Sequence, residues 1–434
     1  MNGNIKNYLD GIAGNLPPEI ISAESYCQIY KMADLFSDFA ASEYIMETHL
    51  NTKDAEVDFS FRVLAEEEKS CLNCGLKTDR CLPLVADYNW SRVVEFVNFW
   101  SSPIDDIWFE IDNDEYERKI PQPCFFFNAS KLEKGADVDE QLLFNALKKL
   151  LDIGQLESLW PNIHKAIFQL PDEVGLFQVG VMLARSNDRV RIFTAELTRE
   201  QTVKYLSDIG WTGPFSELEG LFQLLHSYSD SQYILDFDVS QQGISEKIGI
   251  NFGLGKKQDL SAFLDNLVEK HLCTAAKRSG VLAWSGSKGS FLGPDYGYSA
   301  LLKDISHFKI GYSPEEGLKA KAYLRIAGVY MKELFKGHAS TQLSAVQSAA
   351  RLKQLGYKEI QDIFKEIAKK SMLDQEYREL CLEDSQAAIR RIVNRDAAIP
   401  DNIIFLEEDG ERLDNGNVAY ILPPFLKKSW LLSK

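Results

Sequence analysis

The chain has 434 residues, with 64 acidic and 48 basic side chains giving a formal net charge of −16, 45% hydrophobic content, 7 cysteines and 14 prolines. At roughly 100–200 residues per domain this leaves room for about two or three domains with a buried core; the ordinary apolar content and modest glycine and proline exclude collagen-like, coiled-coil and wholly disordered chains. The acidic excess argues against a general nucleic-acid binder, which needs Lys and Arg clustered over a whole face, but it leaves room for a local basic pocket that takes a small anion.

The first twenty residues, MNGNIKNYLDGIAGNLPPEI, lack a basic segment followed by an apolar one, so a secretory signal is not expected. No run approaches the roughly 18 apolar residues of a membrane span. An odd number of cysteines spread over a long chain fits a reducing compartment, and a cytoplasmic protein is expected. Cys71, Cys74 and Cys81 cluster in SCLNCGLKTDRC, but no second pair or nearby His completes a zinc site. A loop with incidental cysteines is expected there.

Helical and strand-like stretches then alternate. An amphipathic stretch over residues 25–50 precedes EVDFSFRVL (56–64), whose polar and apolar residues alternate with period two. A helical stretch at 87–100 precedes IWFEID (107–112) and CFFFNA (124–129). Residues 140–170 read as helical, followed by LFQVGVMLAR (176–185), a turn at 186–188 and RVRIFTAEL (189–197). Helical segments over 198–228 precede QYILDFDV (232–239) and KIGINFGL (247–254). Helical text over 259–282 precedes HFKIGY (307–312) and AKAYLRI (320–326). With a strand near 81–85 paired to the first, this makes five strand pairs separated by helices, a structural repeat without sequence repetition.

Each strand has one apolar and one polar face. Glu56, Asp58, Ser60 and Arg62 share a face; Trp108, Glu110 and Asp112 share another. Arg189, Arg191 and Phe193 lie together, Asp236 with Asp238, and Lys247 with Gly249 and Asn251. His307, Lys309 and Gly311 share a face, as do Lys319, Lys321, Tyr323 and Arg325. Two architectures satisfy the pattern. One is an open antiparallel sheet covered by helices on one side, with each charge a solvated strand position. The other is a barrel with outer helices and a polar lumen.

The repeat order over residues 25–330, with the Lys-x-Tyr at Lys321 and Tyr323, resembles the ABBA prenyltransferases. The resemblance implies an α+β fold: an antiparallel ten-stranded barrel with outer helices over residues 1–336. It also implies a lumen that holds a prenyl diphosphate and an aromatic acceptor. Arg62, Arg191, Lys247, Lys309, Lys321, Tyr323 and Arg325 would then meet the negative charge that grows on the departing diphosphate. Trp108 and Phe193 would shield the allyl cation. Glu56 sits where the family's first-strand carboxylate would position or deprotonate the nucleophile. Asp236 and Asp238 depart from the family pattern. They could hold a Mg2+ bridged to diphosphate, or pair with Lys247 as inert ion pairs; no cofactor is otherwise required.

The text changes near residue 337. GHASTQLSAVQSAARLKQLG (337–356) suits a linker helix, taken over 337–360. Beyond it Ile363, Phe364, Ile367 and Ala368 follow helical spacing, as do Tyr377, Leu380 and Cys381, then Ala388 and Ile389. NIIFLEEDG and NVAYILPP alternate like a short hairpin. Residues 361–434 resemble the nitrile-hydratase-like leader peptides of ribosomally made natural products. A single "A-x-x-D-x-x-[FY]-R-x-x-L" type helix is set against Ala368 to Leu380, an "IP" turn against Ile399 and Pro400, and a last strand against Ala419 to Pro424. The region has one cysteine, Cys381, so hydratase metal chemistry is not implied. Only FLKKSWLLSK follows Pro424, so a docking or regulatory module is expected rather than a precursor; the tail with Trp430 as a substrate of the same chain is the other reading.

Three functions follow. The first is prenyl transfer to an aromatic or peptide acceptor in ribosomal natural-product biosynthesis. The second is a non-catalytic protein that binds a peptide or maturation enzyme through its leader-like domain. The third is a metal-dependent enzyme using Asp236, Asp238 and His307. Neither nucleic acid nor membrane is an expected partner.

Overall fold

The structure is a computed structural model. It describes residues 5–41, 43–65, 68–100, 103–134, 137–185, 188–229, 232–254, 259–291, 298–330, 357–393, 403–406 and 418–422. Two compact units divide the chain: residues 16–285 with 304–325, and residues 1–15 with 286–303 and 326–434.

The larger unit carries the expected barrel. Its strands are β1 (Glu43–His49), β2 (Asp58–Leu64), β3 (Asp106–Ile111) and β4 (Cys124–Asn128). After a two-residue pair, β5 (Glu133–Lys134) and β6 (Asp137–Val138), come β7 (Leu176–Val181), β8 (Arg189–Leu197), β9 (Tyr233–Ser240) and β10 (Gly243–Phe252). A short β11 (Gly286–Phe291) precedes β12 (Tyr298–Ser313) and β13 (Gly317–Tyr330). Hydrogen bonding runs β10-β9-β8-β7-β4-β3-β2-β1-β13-β12, and β10 pairs β12 to close the ring. The closing register, Ile248↔Tyr312 to Phe252↔Phe308, is antiparallel like the others. Closure leaves no open edge among these ten strands. The polar face therefore becomes a lumen, and the open-sheet alternative falls.

Helices fall between the strand pairs: Ala23–Met32, Tyr88–Phe99, Glu140–Leu150 with Ile153–Phe168, Arg199–Ile209 with Phe215–Leu225, and Leu260–Glu269 with Ala275–Leu282. Their starts are encoded locally. Ser22, Asp87, Asp139, Thr198, Asp259 and Thr274 each accept a backbone N–H of the first turn, and Thr198 with Gln201 completes a capping box. The strands' apolar faces bury against these helices. Phe61 and Phe109 stack at 4.8 Å, Trp90 lies 5.8 Å from Phe109, and Phe96 meets Phe125 edge-on at 4.9 Å.

Three expectations about the first repeat are corrected. The stretch 25–50 is not one helix, because residues 43–49 form β1, and the partner of β2 is this strand. The segment near Cys81 is not a strand, and the cysteines are not on a loop: Lys69–Gly75 and Leu82–Val85 are helical, with Cys81 at the start of the second. β1 escapes a periodicity reading because five consecutive residues, Tyr44 to Thr48, are all buried. In EYIMETH the polar residues are buried along with the apolar ones, so no alternation shows.

In the smaller unit β11 pairs the first half of β12, from Gly286↔Lys303 to Phe291↔Tyr298. Its C-terminal part has helices Tyr357–Leu373, Gln375–Glu383 and Ser385–Arg390, then β14 (Ile403–Leu406) and β15 (Val418–Ile421). Phe364, Ile367, Tyr377, Cys381, Ala388, Ile389, Phe405 and Leu422 form one core. Of the helical positions expected from spacing, Phe364, Ile367, Ala368, Tyr377, Cys381, Ala388 and Ile389 are buried, and Ile363 and Leu380 are partly buried. Ala368 to Leu380 is nevertheless two helices, since Asp374 interrupts the run and accepts the Tyr377 N–H at 3.1 Å. The expected hairpin is also corrected: β14 and β15 run parallel, Ile403↔Val418 to Leu406↔Ile421. Residues 337–356 of the expected linker helix, the Ile399–Pro400 turn and the tail from Pro423 lie outside the described residues.

Candidate functional site

Two adjoining cavities occupy the lumen. The larger, about 490 Å3, is lined by aromatic rings, Trp108, Phe126, Phe177, Phe193, Phe252 and Tyr323 among them, together with carboxylates such as Glu43, Glu47, Asp106 and Glu110. The smaller, about 80 Å3, is bordered by His49, Asp236, Asp238, Lys247 and Lys319. Arg185, Arg191, Lys309 and Lys321 line both. Cations thus mark the boundary between the chamber that holds most of the aromatic rings and a smaller, mainly charged one.

Strand alternation explains the aromatic wall. Trp108 on β3, Phe126 on β4 and Gly180 on β7 are successive neighbours across the sheet. The Phe126 ring lies over Gly180, where a Cβ would come within 2.2 Å of it. That places Phe126 6.0 Å from Phe193, edge-on, in a cluster with Cys124 and Met182. Arg62 sits 6.0 Å over Trp108.

Every cation at the boundary is held by a carboxylate. Arg191 Nε and Nη2 donate to the two oxygens of Asp238 at 2.7 and 3.0 Å. Lys309 Nζ donates to Asp236 Oδ1 at 2.7 Å, and Asn251 Nδ2 donates to Asp236 Oδ2 at 2.7 Å. Lys321 donates to Glu47. Arg185 holds Asp112 through two bonds and Glu110 at 3.1 Å. On the wall of the larger cavity, Arg62 pairs with Asp106 at 2.7 Å and Glu43 at 3.3 Å. His307 stacks on Tyr323 with ring centres 4.1 Å apart.

These contacts set the protonation of the lumen. Burial works against charge on Glu47, but Lys321, Lys309 and a hydrogen bond from Tyr323 overcome it and hold its carboxyl below the usual range. Asp236 and Asp238 are likewise held low despite burial, by Lys309 and Arg191 in the first case and by Arg191 in the second. Burial and the charge of Glu47 push Glu110 up to about 8 and Asp58 up to about 7. Burial lowers His49 and His307 to about 4, leaving both imidazoles neutral near pH 7. With Glu110 and part of Asp58 uncharged at neutral pH, the inner lumen carries less negative charge than its carboxylates suggest.

Of the sequence candidates, Arg62, Trp108, Arg191, Phe193, Lys309, Lys321 and Tyr323 line the aromatic chamber, and Lys247 the smaller one. Arg325 pairs with Asp304 at 2.5 Å and lies 3.9 Å from Glu43. Glu56 is misplaced by the sequence reading. It is exposed before β2 begins, accepting from Asn113 Nδ2 at 2.6 Å, because the true first strand is β1. The lumen carboxylates of β1 are Glu43 and Glu47. Asp236 and Asp238 pair with Lys309 and Arg191, not with Lys247. Each already neutralised by a cation, they make a poor Mg2+ site. Two other sets of potential ligand atoms lie within 4.8 Å of one another: Glu47, His49 and Asp58, and Glu110, Asp112 and Cys124. Arg185 was missed because it follows β7 in a turn, where period-two alternation says nothing of direction.

A solved structure described as 6-dimethylallyltryptophan synthase from Micromonospora olivasterospora in complex with DMASPP and Trp is similar to this chain. It matches at 12% identity over 74% of this chain and 97% of that one, with a TM-score of 0.50. AnaPT from Neosartorya fischeri matches at 12% identity over 76% of this chain and 92% of that one; its TM-score of 0.46 is too low to carry argument. No family model matches the sequence, and no curated protein is similar to it. At such identity the likeness is one of fold. The helix-wrapped, ten-stranded antiparallel barrel is that of the ABBA prenyltransferases. No helix among the described residues is long and apolar enough to cross a membrane.

Proposed function

We propose that the lumen transfers a prenyl group from an allylic diphosphate to an aromatic acceptor. The observation that carries this reading is the boundary itself, four cations lining both the chamber that holds most of the aromatic rings and the smaller, mainly charged one. In the proposed reaction the allylic C–O bond breaks and the electron pair leaves on the diphosphate. A ring carbon of the acceptor bonds to the allyl carbon and then loses its proton. Arg185, Arg191, Lys309, Lys321 and Tyr323 meet the departing charge, with Arg62 on the wall of the larger cavity and Arg325 beside Glu43. Trp108, Phe126 and Phe193 shield the cation, since aromatic faces stabilise positive charge without capturing it. Glu47 or Glu110 takes the role expected of Glu56. The similar synthase, described with DMASPP and Trp, supports a dimethylallyl-sized donor and an indole-sized acceptor. A chamber of about 490 Å3 is of ordinary size for such small molecules.

The finer reading makes the acceptor a peptide of ribosomal natural-product biosynthesis. The leader-like C-terminal residues and their core around Phe364, Tyr377 and Cys381 support it. None of the seven cysteines is joined in a disulfide, which supports a cytoplasmic setting. A second reading, a non-catalytic barrel that binds a peptide or maturation enzyme through this region, is favoured by the ion pairing of all four boundary cations. Calorimetric titration with dimethylallyl and geranyl diphosphates decides between them. Saturable binding supports transfer, and no binding with or without Mg2+ removes it and leaves the second reading.

A further inference from the structure

We propose that Asp236 and Asp238 are internal competitors of the donor's diphosphate, holding Lys309 and Arg191 against weaker anions and yielding them to an anion that engages both cations at once. The inference rests on the prenyl-transfer reading and concerns how the same site selects its ligand.

Two carboxylates stand two residues apart on the lumen face of β9, 3% and 5% exposed, each on a cation that lines both cavities. Asp238 fills two donors of Arg191 side by side. Asp236 reaches Lys309 over Gly249 of the intervening strand, where a Cβ would lie 2.2 Å from both Asp236 Oδ2 and Lys309 Cε. The cluster is thus already satisfied by anions of its own. An entering carboxylate or phosphate monoanion exchanges like for like and gains nothing. A diphosphate spans both cations with several oxygens, and the second contact is intramolecular.

Displacement would be prohibitive if it stranded a buried charge. Both aspartates have somewhere to go. Asp236 keeps the Asn251 bond when it releases Lys309. Lys247 lines the same small cavity as Asp238, feels its charge, and has no ion-pair partner among the described residues. Lys247 is in this reading the cation that receives Asp238.

The test titrates the full-length chain with inorganic diphosphate and inorganic phosphate by calorimetry, using wild type, Asp236→Asn, Asp238→Asn, Lys247→Met and the Asp238→Asn/Lys247→Met double variant. Each asparagine variant should bind diphosphate about tenfold more tightly and lose discrimination against phosphate. Lys247→Met should weaken diphosphate binding more in the wild-type background than beside Asp238→Asn. Unchanged or weaker diphosphate binding in both asparagine variants overturns the competition. Equal losses from Lys247→Met in both backgrounds assign Lys247 to the ligand and overturn its role as receiver. The two asparagine variants report on separate ion pairs, so one that fails to fold leaves the other to decide. Diphosphate binding by no protein in the set removes the prenyl-transfer reading itself, whereas binding that ignores the substitutions removes only this inference.

Discussion

Lys309 on β12 and Asp236 on β9 form an ion pair at 2.7 Å across β10, which offers only Gly249 at the crossing point. The pair therefore depends on a missing side chain. Gly249→Ala puts a methyl carbon 2.2 Å from both Asp236 Oδ2 and Lys309 Cε, so the pair or the strand must move. Overpacking of this kind costs about 1–3 kcal/mol. A urea unfolding midpoint equal to that of wild type would show that the crossing is looser than the geometry says.

Arg191 and Asp238 are both nearly inaccessible, their side chains 13% and 6% exposed. Arg191→Met takes the bidentate partner from Asp238 and leaves Lys247 as a partial substitute, so the loss should fall toward the low end of the about 3–5 kcal/mol for breaking a buried pair. Arg191→Met/Asp238→Leu removes both charges and should recover much of that. Chemical denaturation of the two variants checks the order; a double variant less stable than the single one would contradict it.

Glu110 titrates at about 8 in the folded chain against an ordinary 4.5, the charged form being penalised by burial and by Glu47. Between those values the folded chain keeps a proton that the unfolded chain has released, so this group's contribution to stability falls as pH rises through the window. Glu110→Gln cannot ionise. It should match wild type near pH 4.5 and unfold about 3 °C or more above it at pH 8. Calorimetric scans of both proteins across that range make the comparison, and parallel curves would refute the shift.

His49 and His307 titrate at about 4 against an ordinary 6.5, burial being the chief cause in each. Their neutral forms favour the folded state above pH 6.5, and that contribution is lost as pH falls through 4. Replacing His307 by Asn should flatten the fall in melting temperature between pH 6.5 and 4. An unaltered acid slope would mean that other groups govern it.

Glu56 and Glu47 separate the carboxylate expected from sequence from the one in the lumen. Glu56→Gln, altering an exposed group bonded to Asn113, should leave prenyl turnover and melting temperature near wild type. Glu47→Gln weakens the tie to Lys321 inside the lumen and should lower turnover about tenfold or more. Equal effects of the two substitutions would return Glu56 to the site.

What the sequence determined by itself was the composition of each strand face. A period of two is local, so EVDFSFRVL, IWFEID, QYILDFDV and AKAYLRI each announced which residues share the polar side, and Asp236 with Asp238 or Lys321 with Tyr323 followed directly. The helical stretches read from 87 and from 198 begin in the structure at capping residues, Asp87 and Thr198. β1 did not announce itself, because Glu43 and Glu47 face the lumen between apolar residues that are themselves buried, and a strand buried on both faces shows no alternation. Glu56 was misassigned for the same reason. Arg185 and the parallel order of β14 and β15 were also beyond reach, since a turn has no period and two short strands do not state their direction. Only the tertiary structure decided whether the polar faces met water or each other. Closure of β10 on β12 turned separate rows of charge into one low-dielectric lumen. There Lys309 finds Asp236, and Arg191 finds Asp238, through contacts between strands that no single strand's sequence contains.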